Sequence, residues 1–259
     1  MTTVAMDSYH LTAPEWYVLQ HGPSADARWV FKLTVLQLLT QKHFSRIGTG
    51  GATALIPGSR FDESLPPTMG LLREVYLTLP RTSVPGANQG AVTVVALMEA
   101  LSQRYLGLQG FVRSVIMPVL VGHGFYQQHT SRLLFLFTRR QHRLTPKGES
   151  IKFEFERRLM DGQREFRGWV AKQPERAIQF LQSIGTAALL MRPIYPDIYR
   201  LTAEPPELPV PSTSNSTSIN EELAPLREWA TVLTDDYNEL DECMTIPASV
   251  RRPSTDKSE

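Results

Sequence analysis

The chain has 259 residues, of which 42% are hydrophobic and 20% are charged, and its formal net charge is +1. A chain of this length and composition can form two small globular domains with extensions. We expect it to be soluble, because its longest apolar runs fall far short of the roughly 18 to 20 residues that a bilayer span requires. The single cysteine, Cys243, excludes an intramolecular disulfide and a cysteine-based zinc cage, and the first ten residues lack a secretory signal, so we expect a reducing cytoplasm.

The first predicted module covers residues 11–60 and begins with two helices. Thr12 and Glu15 have the spacing of a capping box, and Gly22-Pro23 is a typical helix end. Ser24 is the predicted cap of the second helix. Its apolar side is Trp29, Leu33, Leu36 and Leu39, and its polar side is Arg28, Lys32, Gln37 and Gln41. A hairpin with a glycine turn follows, with strands predicted at residues 44–47 and 52–56.

The second predicted module covers residues 65–148 and has the same order of elements, without a residue-level repeat. Its helices are predicted at residues 68–79, 91–106 and 110–124, with a loop at 80–90. A second hairpin is predicted next, with strands at 132–138 and 142–145 and a bend at residues 139–141.

Residues 143–149 read RLTPKGE, where the second hairpin ends and the next helix begins. A glycine-terminated helix, a hairpin and this motif together resemble MarR-like and PadR-like winged-helix proteins. The chain is also similar to bacterial proteins of unestablished activity with two such modules in series. The resemblance implies a mainly α (α+β) fold. We expect two tandem winged-helix-like modules with small β-hairpin wings, then long helices and a tethered C-terminal helix.

A helical extension is predicted over residues 149–202, and it begins with a long helix at 149–170. Apolar residues lie along one side of this helix: Ile151, Phe155, Leu159, Phe166 and Trp169. The resemblance implies that the helix after the wing makes a homodimer, whereas the pattern alone equally allows its apolar side to cover the chain's own core. A second, buried helix is predicted at 175–191.

Residues 203–220 are rich in proline, serine and threonine, which predicts a disordered linker. Beyond it, residues 221–245 predict a tethered amphipathic helix that folds only against another surface. The candidate docking residues are Leu223, Leu226, Trp229, Leu233, Tyr237 and Leu240. The docking surface is the chain's own domain, a second copy or another protein, and the first is favoured because it has the highest effective concentration.

No catalytic constellation is found in the sequence, so we predict a protein that is not an enzyme and has no cofactor, metal site or small-molecule substrate. The glycines at positions 48, 50 and 51 precede a predicted strand, which is typical of a hairpin turn and not of a phosphate cradle. His123, His129 and His142 could approach one another at the second wing, but no carboxylate at a fixed spacing supports a metal site. Cys243 lies on the tethered helix, away from a rigid pocket.

Charge is unevenly distributed along the chain. Residues 104–176 contain 14 basic and 6 acidic residues, whereas residues 203–259 contain 4 basic and 12 acidic ones. This asymmetry indicates an anionic partner for the middle of the chain, a tail that folds back onto it, or simply solvated surfaces. The candidate residues for nucleic-acid or anion binding are Arg132, Arg139, Arg140, Arg143 and Lys147 of the wing, with Arg28 and Lys32 of the first module.

The sequence favours a non-enzymatic winged-helix interaction or scaffold protein that binds a protein partner or itself. The alternative is a DNA-binding transcriptional regulator that contacts phosphates of duplex DNA through the basic wing. The predicted helix at 110–124 offers chiefly Arg113, Ser114 and His123 to the major groove, and Pro118 interrupts it. Since base edges are read mainly by Arg, Lys, Asn and Gln, that helix is poorly equipped for sequence-specific reading.

Overall fold

The computed structural model describes residues 11–49, 52–82, 90–133, 137–203, 230 and 232–245, and within these ranges it omits the side chains of residues 130–140, 203, 234 and 245. The described part is mainly helical, with one three-stranded and one two-stranded antiparallel sheet. This confirms the predicted mainly α (α+β) class. One continuous cluster of buried side chains extends from Leu11 to Cys243.

Helix α1 (Ala13–His21) begins where the capping pattern predicted it. The carboxylate half of the capping box is formed, since Glu15 Oε2 accepts a hydrogen bond from the Thr12 N–H at 2.8 Å. The other oxygen, Oε1, accepts from the Thr68 hydroxyl at 2.7 Å, which ties α1 to the start of α3. Gly22, with φ of +80°, ends the helix in a conformation that favours glycine.

Helix α2 (Ala27–Thr40) is the central helix of the fold. The prediction of Ser24 as its cap was wrong: the Asp26 carboxylate accepts from the N–H groups of residues 28 and 29 at 2.9 and 3.4 Å. The expected polar side was also wrong in part, because Lys32 and Gln37 are only 1% and 2% exposed. Neighbouring elements surround α2 almost completely, and Gln37 Oε1 accepts from the first N–H of α1 at 2.8 Å.

The first hairpin is present as predicted and gains a third strand. Strand β1 (Phe44–Ile47) pairs antiparallel with β2 (Ala54–Pro57), and β2 pairs with β3 (Val92–Thr93). Residues 92 and 93 were expected to begin a helix, yet they form the strand pair Leu55↔Val92 and Ala54↔Thr93. This sheet therefore joins residues of the first predicted module to residues of the second.

Three helices follow in the order that the sequence predicted: α3 (Pro67–Thr78), α4 (Val94–Arg104) and α5 (Leu108–Gly122). Helix α5 has a π-helical turn at Val112–Ile116, where the Met117 N–H donates to the Val112 carbonyl. Pro118 follows directly, and it has no N–H and a ring that clashes with the preceding turn. The wider π turn accommodates this ring, so α5 continues through the proline instead of breaking.

The second hairpin consists of β4 (Tyr126–Leu133) and β5 (Phe137–Leu144). Helix α6 (Pro146–Lys172) then confirms the predicted long helix, and α7 (Pro174–Ile184) follows it. The predicted helix at 175–191 ends earlier than expected, because Gly185 has φ of +52° and short 3₁₀ turns replace the α-helix there.

The apolar side of α6 covers the chain's own core, which is one of the two roles that its pattern allowed. Phe155 stacks on Trp16 of α1, with ring centroids 4.2 Å apart and planes 13° apart. Gly162 faces Phe180 of α7 so closely that an added Cβ would lie 2.0 Å from the ring. Helix α8 (Tyr195–Ala203) completes this layer.

The C-terminal segment, residues 232–245, also packs against its own chain. It consists of a π-helical turn, Val232–Asp236, and helix α9 (Tyr237–Thr245). Leu233, Tyr237 and Leu240 are at most 3% exposed. In the structure the C-terminal segment is therefore docked on the chain's own domain, which was the favoured alternative.

Candidate nucleic-acid interface

The second hairpin forms one wall of the candidate interface. Its strands pair from Tyr126↔Leu144 to Leu133↔Phe137. The predicted bend at residues 139–141 was wrong: Arg139 and Arg140 belong to β5, opposite Ser131 and Thr130. The polar composition of residues 139–141 suggested a turn, but their backbone continues the pairing of β5 with β4.

Three of the predicted wing residues, Arg132, Arg139 and Arg140, have their backbones in the paired strands, and their side chains lie outside the described part. Arg143 is exposed near the base of β5. Eight residues at about 3.3 Å each make every strand roughly 25 Å long. The basic positions are therefore spread along a β-ribbon and are not concentrated in a tight bend.

A cleft of about 1160 Å³ lies between α5 and the hairpin. Arg113 and Ser114 line it from the helix, and Gln128, Gln141 and His142 line it from the strands. Pro118 and Val121 add apolar surface to its wall. A guanidinium group can donate hydrogen bonds to phosphates or base edges, and an amide group can both donate to and accept from base edges.

Electrostatics in the cleft favour an anion. Partial burial, and secondarily the charge of Arg113, lower the pKa of His142 below its ordinary value of 6.5. The imidazole is therefore mainly neutral at pH 7, and a bound anion would favour its protonated form. Residues 100–148, which carry every lining residue of the cleft except Pro23, contain seven Arg or Lys residues and no Asp or Glu.

The connection from the hairpin to α6 is fixed by the motif that carried the resemblance. Thr145 caps α6, with its hydroxyl oxygen accepting from the Gly148 N–H at 3.0 Å, and it donates to the Gly124 carbonyl at 2.7 Å. Lys147 was expected to bind phosphate, but its ammonium donates to the His123 carbonyl at 2.8 Å. It thus caps the C-terminal end of α5, where a cation is favoured by the helix dipole.

The two candidates from the first module lie apart from this cleft. Arg28 is exposed at the start of α2. Lys32 is buried, and its ammonium forms a 2.5 Å ion pair with Asp241 of the C-terminal segment. It is not accessible to an external phosphate while that segment is docked.

The candidate docking residues divide into two groups. Leu233, Tyr237 and Leu240 belong to the chain's own core, whereas Leu223, Leu226 and Trp229 lie outside the described residues. The largest exposed apolar side chains on α6 are instead Phe153 and Met160, which are 70% and 69% exposed.

Sequence reasoning missed Gln128 and Gln141 as members of the site. Arg113 and His142 were recognised separately, but their convergence required the hairpin to fold beside α5. The available sequence indication was the long stretch without acidic residues at 100–148. It indicates a basic region but not which of its side chains meet in the folded chain.

The geometry of the cleft is the main guide to the function of this chain. No known protein family matches the chain, and no curated protein is significantly similar in sequence. Among the described residues, no group of His, Cys, Asp and Glu side chains could hold a metal ion. No single described helix is long and apolar enough to cross a bilayer, although α4 and α5 together would be by length and composition, with a 66° bend between them.

Proposed function

We propose that this protein binds duplex DNA through the cleft between α5 and the second hairpin, in a non-enzymatic, cytoplasmic role such as transcriptional regulation. The observation that carries the proposal is the convergence of Arg113, Gln128, Gln141 and His142 on one cleft of about 1160 Å³. A β-ribbon beside a helix end has the size to contact a groove and its flanking phosphates.

Two further observations support this proposal. The order α3, β3, α4, α5, β4, β5 is that of a winged helix, which supports the resemblance to MarR-like and PadR-like proteins. Gln128 and Gln141 supply amide groups to the cleft, whereas the residues of α5 that line it include no amide side chain, and amide groups can read base edges. Strand β3 pairs with β2 and not with the hairpin, so the two tandem modules that we propose share a sheet.

Binding of a labelled duplex, followed by fluorescence anisotropy over a range of salt concentrations, tests the proposal. Arg113→Ala should weaken binding by about 1–3 kcal/mol and, if the arginine contacts phosphate, lower the salt slope by about one. Gln141→Ala should change the preference among duplex sequences without changing the salt slope.

The matched control is Arg164→Ala, which removes one positive charge from an exposed position on α6 outside the cleft. Equal losses in Arg113→Ala and Arg164→Ala would show that only net charge matters. Absence of duplex binding by the unaltered chain at low salt would refute the proposal.

A second candidate function is self-association or partner binding through the outer side of α6. Phe153 and Met160 are 70% and 69% exposed, and their seven-residue spacing places them on one face two turns apart. Replacing both with serine should abolish a dimer measured by sedimentation, whereas Leu106→Ser, at an isolated position that is 97% exposed, should not. A chain that sediments as a monomer at every concentration would exclude self-association.

A further inference from the structure

The C-terminal segment has an unusual charge composition. Residues 230–245 contain five acidic residues and no Lys or Arg. Two of these carboxylates make ion pairs with the body of the protein: Asp241 with Lys32 at 2.5 Å, and Asp236 with Arg46 of β1. These two ion pairs join the described part of the acidic tail to residues of the first module.

The surface beneath this segment is basic and aromatic. The Lys32 ammonium lies 3.3 Å from the centroid of the Tyr237 ring, and the Arg192 guanidinium lies 4.5 Å from the same ring. Arg192 also lies 5.7 Å from the Trp29 ring. Apart from the segment itself, the surface contributes three cations, Lys32, Arg46 and Arg192, and the half-buried ring of Trp29. Surfaces that hold nucleic-acid backbone and bases have this composition.

The docked segment supplies the anionic groups that pair with this surface. Burial lowers the pKa of Lys32, and the hydrogen bond that Lys32 donates to Asp241 acts in the opposite direction and favours the charged form. If the segment left without a replacement, Lys32 and Arg46 would lose their counter-charges. Asp236 and Asp241 are five residues apart, or roughly 7.5 Å along a helix axis, so the surface takes two anionic groups in a row. The repeated phosphates of a nucleic acid supply such groups, whereas a single small anion does not.

We propose that the surface formed by Trp29, Lys32, Arg46 and Arg192 is a second nucleic-acid-binding surface, which the acidic C-terminal segment occupies as an internal mimic of phosphates. This inference rests on the proposed DNA binding and adds its regulation. Release of the segment exposes the second surface and strengthens binding. The cleft beside the hairpin is unaffected by release, because neither ion pair of the segment involves it.

The test uses the full chain with Asp236→Lys and Asp241→Lys together, which reverses both ion pairs. The matched control is Asp235→Lys with Glu242→Lys, which makes the same change in net charge at two exposed positions of the same segment. Hydrogen exchange of residues 232–245 reports release, and anisotropy with a labelled duplex reports binding. The released variant should bind more tightly than the control, with a salt slope steeper by about two because two phosphate contacts are gained.

The same variants in an Arg113→Ala background separate this inference from the proposed function. A gain on release that persists there supports the second surface even if the cleft does not bind DNA. Adding Arg46→Gln and Arg192→Gln should remove the gain. Release without a gain over the control would overturn the inference. Tyr237→Ser provides a second way to release the segment. If the segment stays protected from exchange both in this variant and in the double lysine variant, it is a fixed part of the core, and the inference is overturned.

Discussion

Replacing Tyr237 with phenylalanine should stabilise the docked C-terminal segment, although it removes a polar group from a buried tyrosine. The side chain is 3% exposed, and its hydroxyl has no hydrogen-bond partner within the described structure. Burial raises the pKa of Tyr237 to about 12. An unpaired buried polar group carries a desolvation penalty of about 1–3 kcal/mol, and phenylalanine avoids it while keeping the ring. We therefore expect Tyr237→Phe to raise the free energy of unfolding by about 1 kcal/mol.

Tyr237→Ala should have the opposite effect, since it removes the ring itself. The ring makes edge contacts with Trp29 and Tyr195, at centroid separations of 5.8 and 5.7 Å, and it also lies beneath the Lys32 ammonium. Removing a buried aromatic side chain lowers the free energy of unfolding by about 3–5 kcal/mol. Each contact between two aromatic rings contributes about 0.5–1.5 kcal/mol. The loss cannot exceed the docking free energy of the segment, because a detached segment has no more contacts to lose.

Urea denaturation gives the global stability of both variants, and hydrogen exchange of residues 232–245 gives the local opening free energy. The expected signature is slower exchange than the unaltered chain in Tyr237→Phe and faster exchange in Tyr237→Ala. A Tyr237→Phe variant that is less stable by 1 kcal/mol or more would show that the hydroxyl has a stabilising partner, and the reasoning would fail.

Three further predictions concern other elements of the fold. Gly162→Ala should destabilise the protein by about 1–2 kcal/mol in urea denaturation, because the added methyl group would overlap Phe180, whereas Gly168→Ala, with open space around it, should be neutral or stabilising. Thr145→Ala should lower the free energy of unfolding by about 0.5–2 kcal/mol through loss of the α6 cap, and Thr145→Ser should restore most of it. Duplex affinity should rise as the pH falls toward the pKa of His142, which burial lowers, since a phosphate in the cleft favours the protonated imidazole, and it should level off below that pKa. His142→Gln should remove this dependence, and an unchanged pH profile would exclude His142 from the contact.

The helices were the most predictable part of this chain, because their signals are local. The capping pattern at Thr12 places the start of α1 correctly. The start of the long helix was predicted at residue 149, three residues after its observed start at Pro146. The first hairpin was found from its glycine turn, while the second was found with its turn displaced. Strand β3 was missed because two residues carry no periodicity, and they are extended only through pairing with β2, about 40 residues earlier.

The candidate site was less predictable, because its residues meet only in the folded chain. Lys32 shows the difficulty clearly: its position among Arg28, Gln37 and Gln41 predicts a solvated helix face, but its partner Asp241 lies 209 residues away. A polar residue at helical spacing can equally mark a solvated surface or a buried ion pair, and sequence periodicity does not separate the two. Similarly, the amides of Gln128 and Gln141 acquire a role only once the hairpin lies beside α5.

The structure shows which basic residues pair with the described part of the acidic tail. If the acidic tail paired with the basic hairpin, it would close the cleft to anions, and the two sets of charges would neutralise each other within the chain. The described ion pairs of the tail are made instead with Lys32 and Arg46, both of which lie before residue 104. These two ion pairs therefore leave the positive charge of the acid-free stretch at residues 100–148 unneutralised, which agrees with the proposed binding of an external polyanion at the cleft.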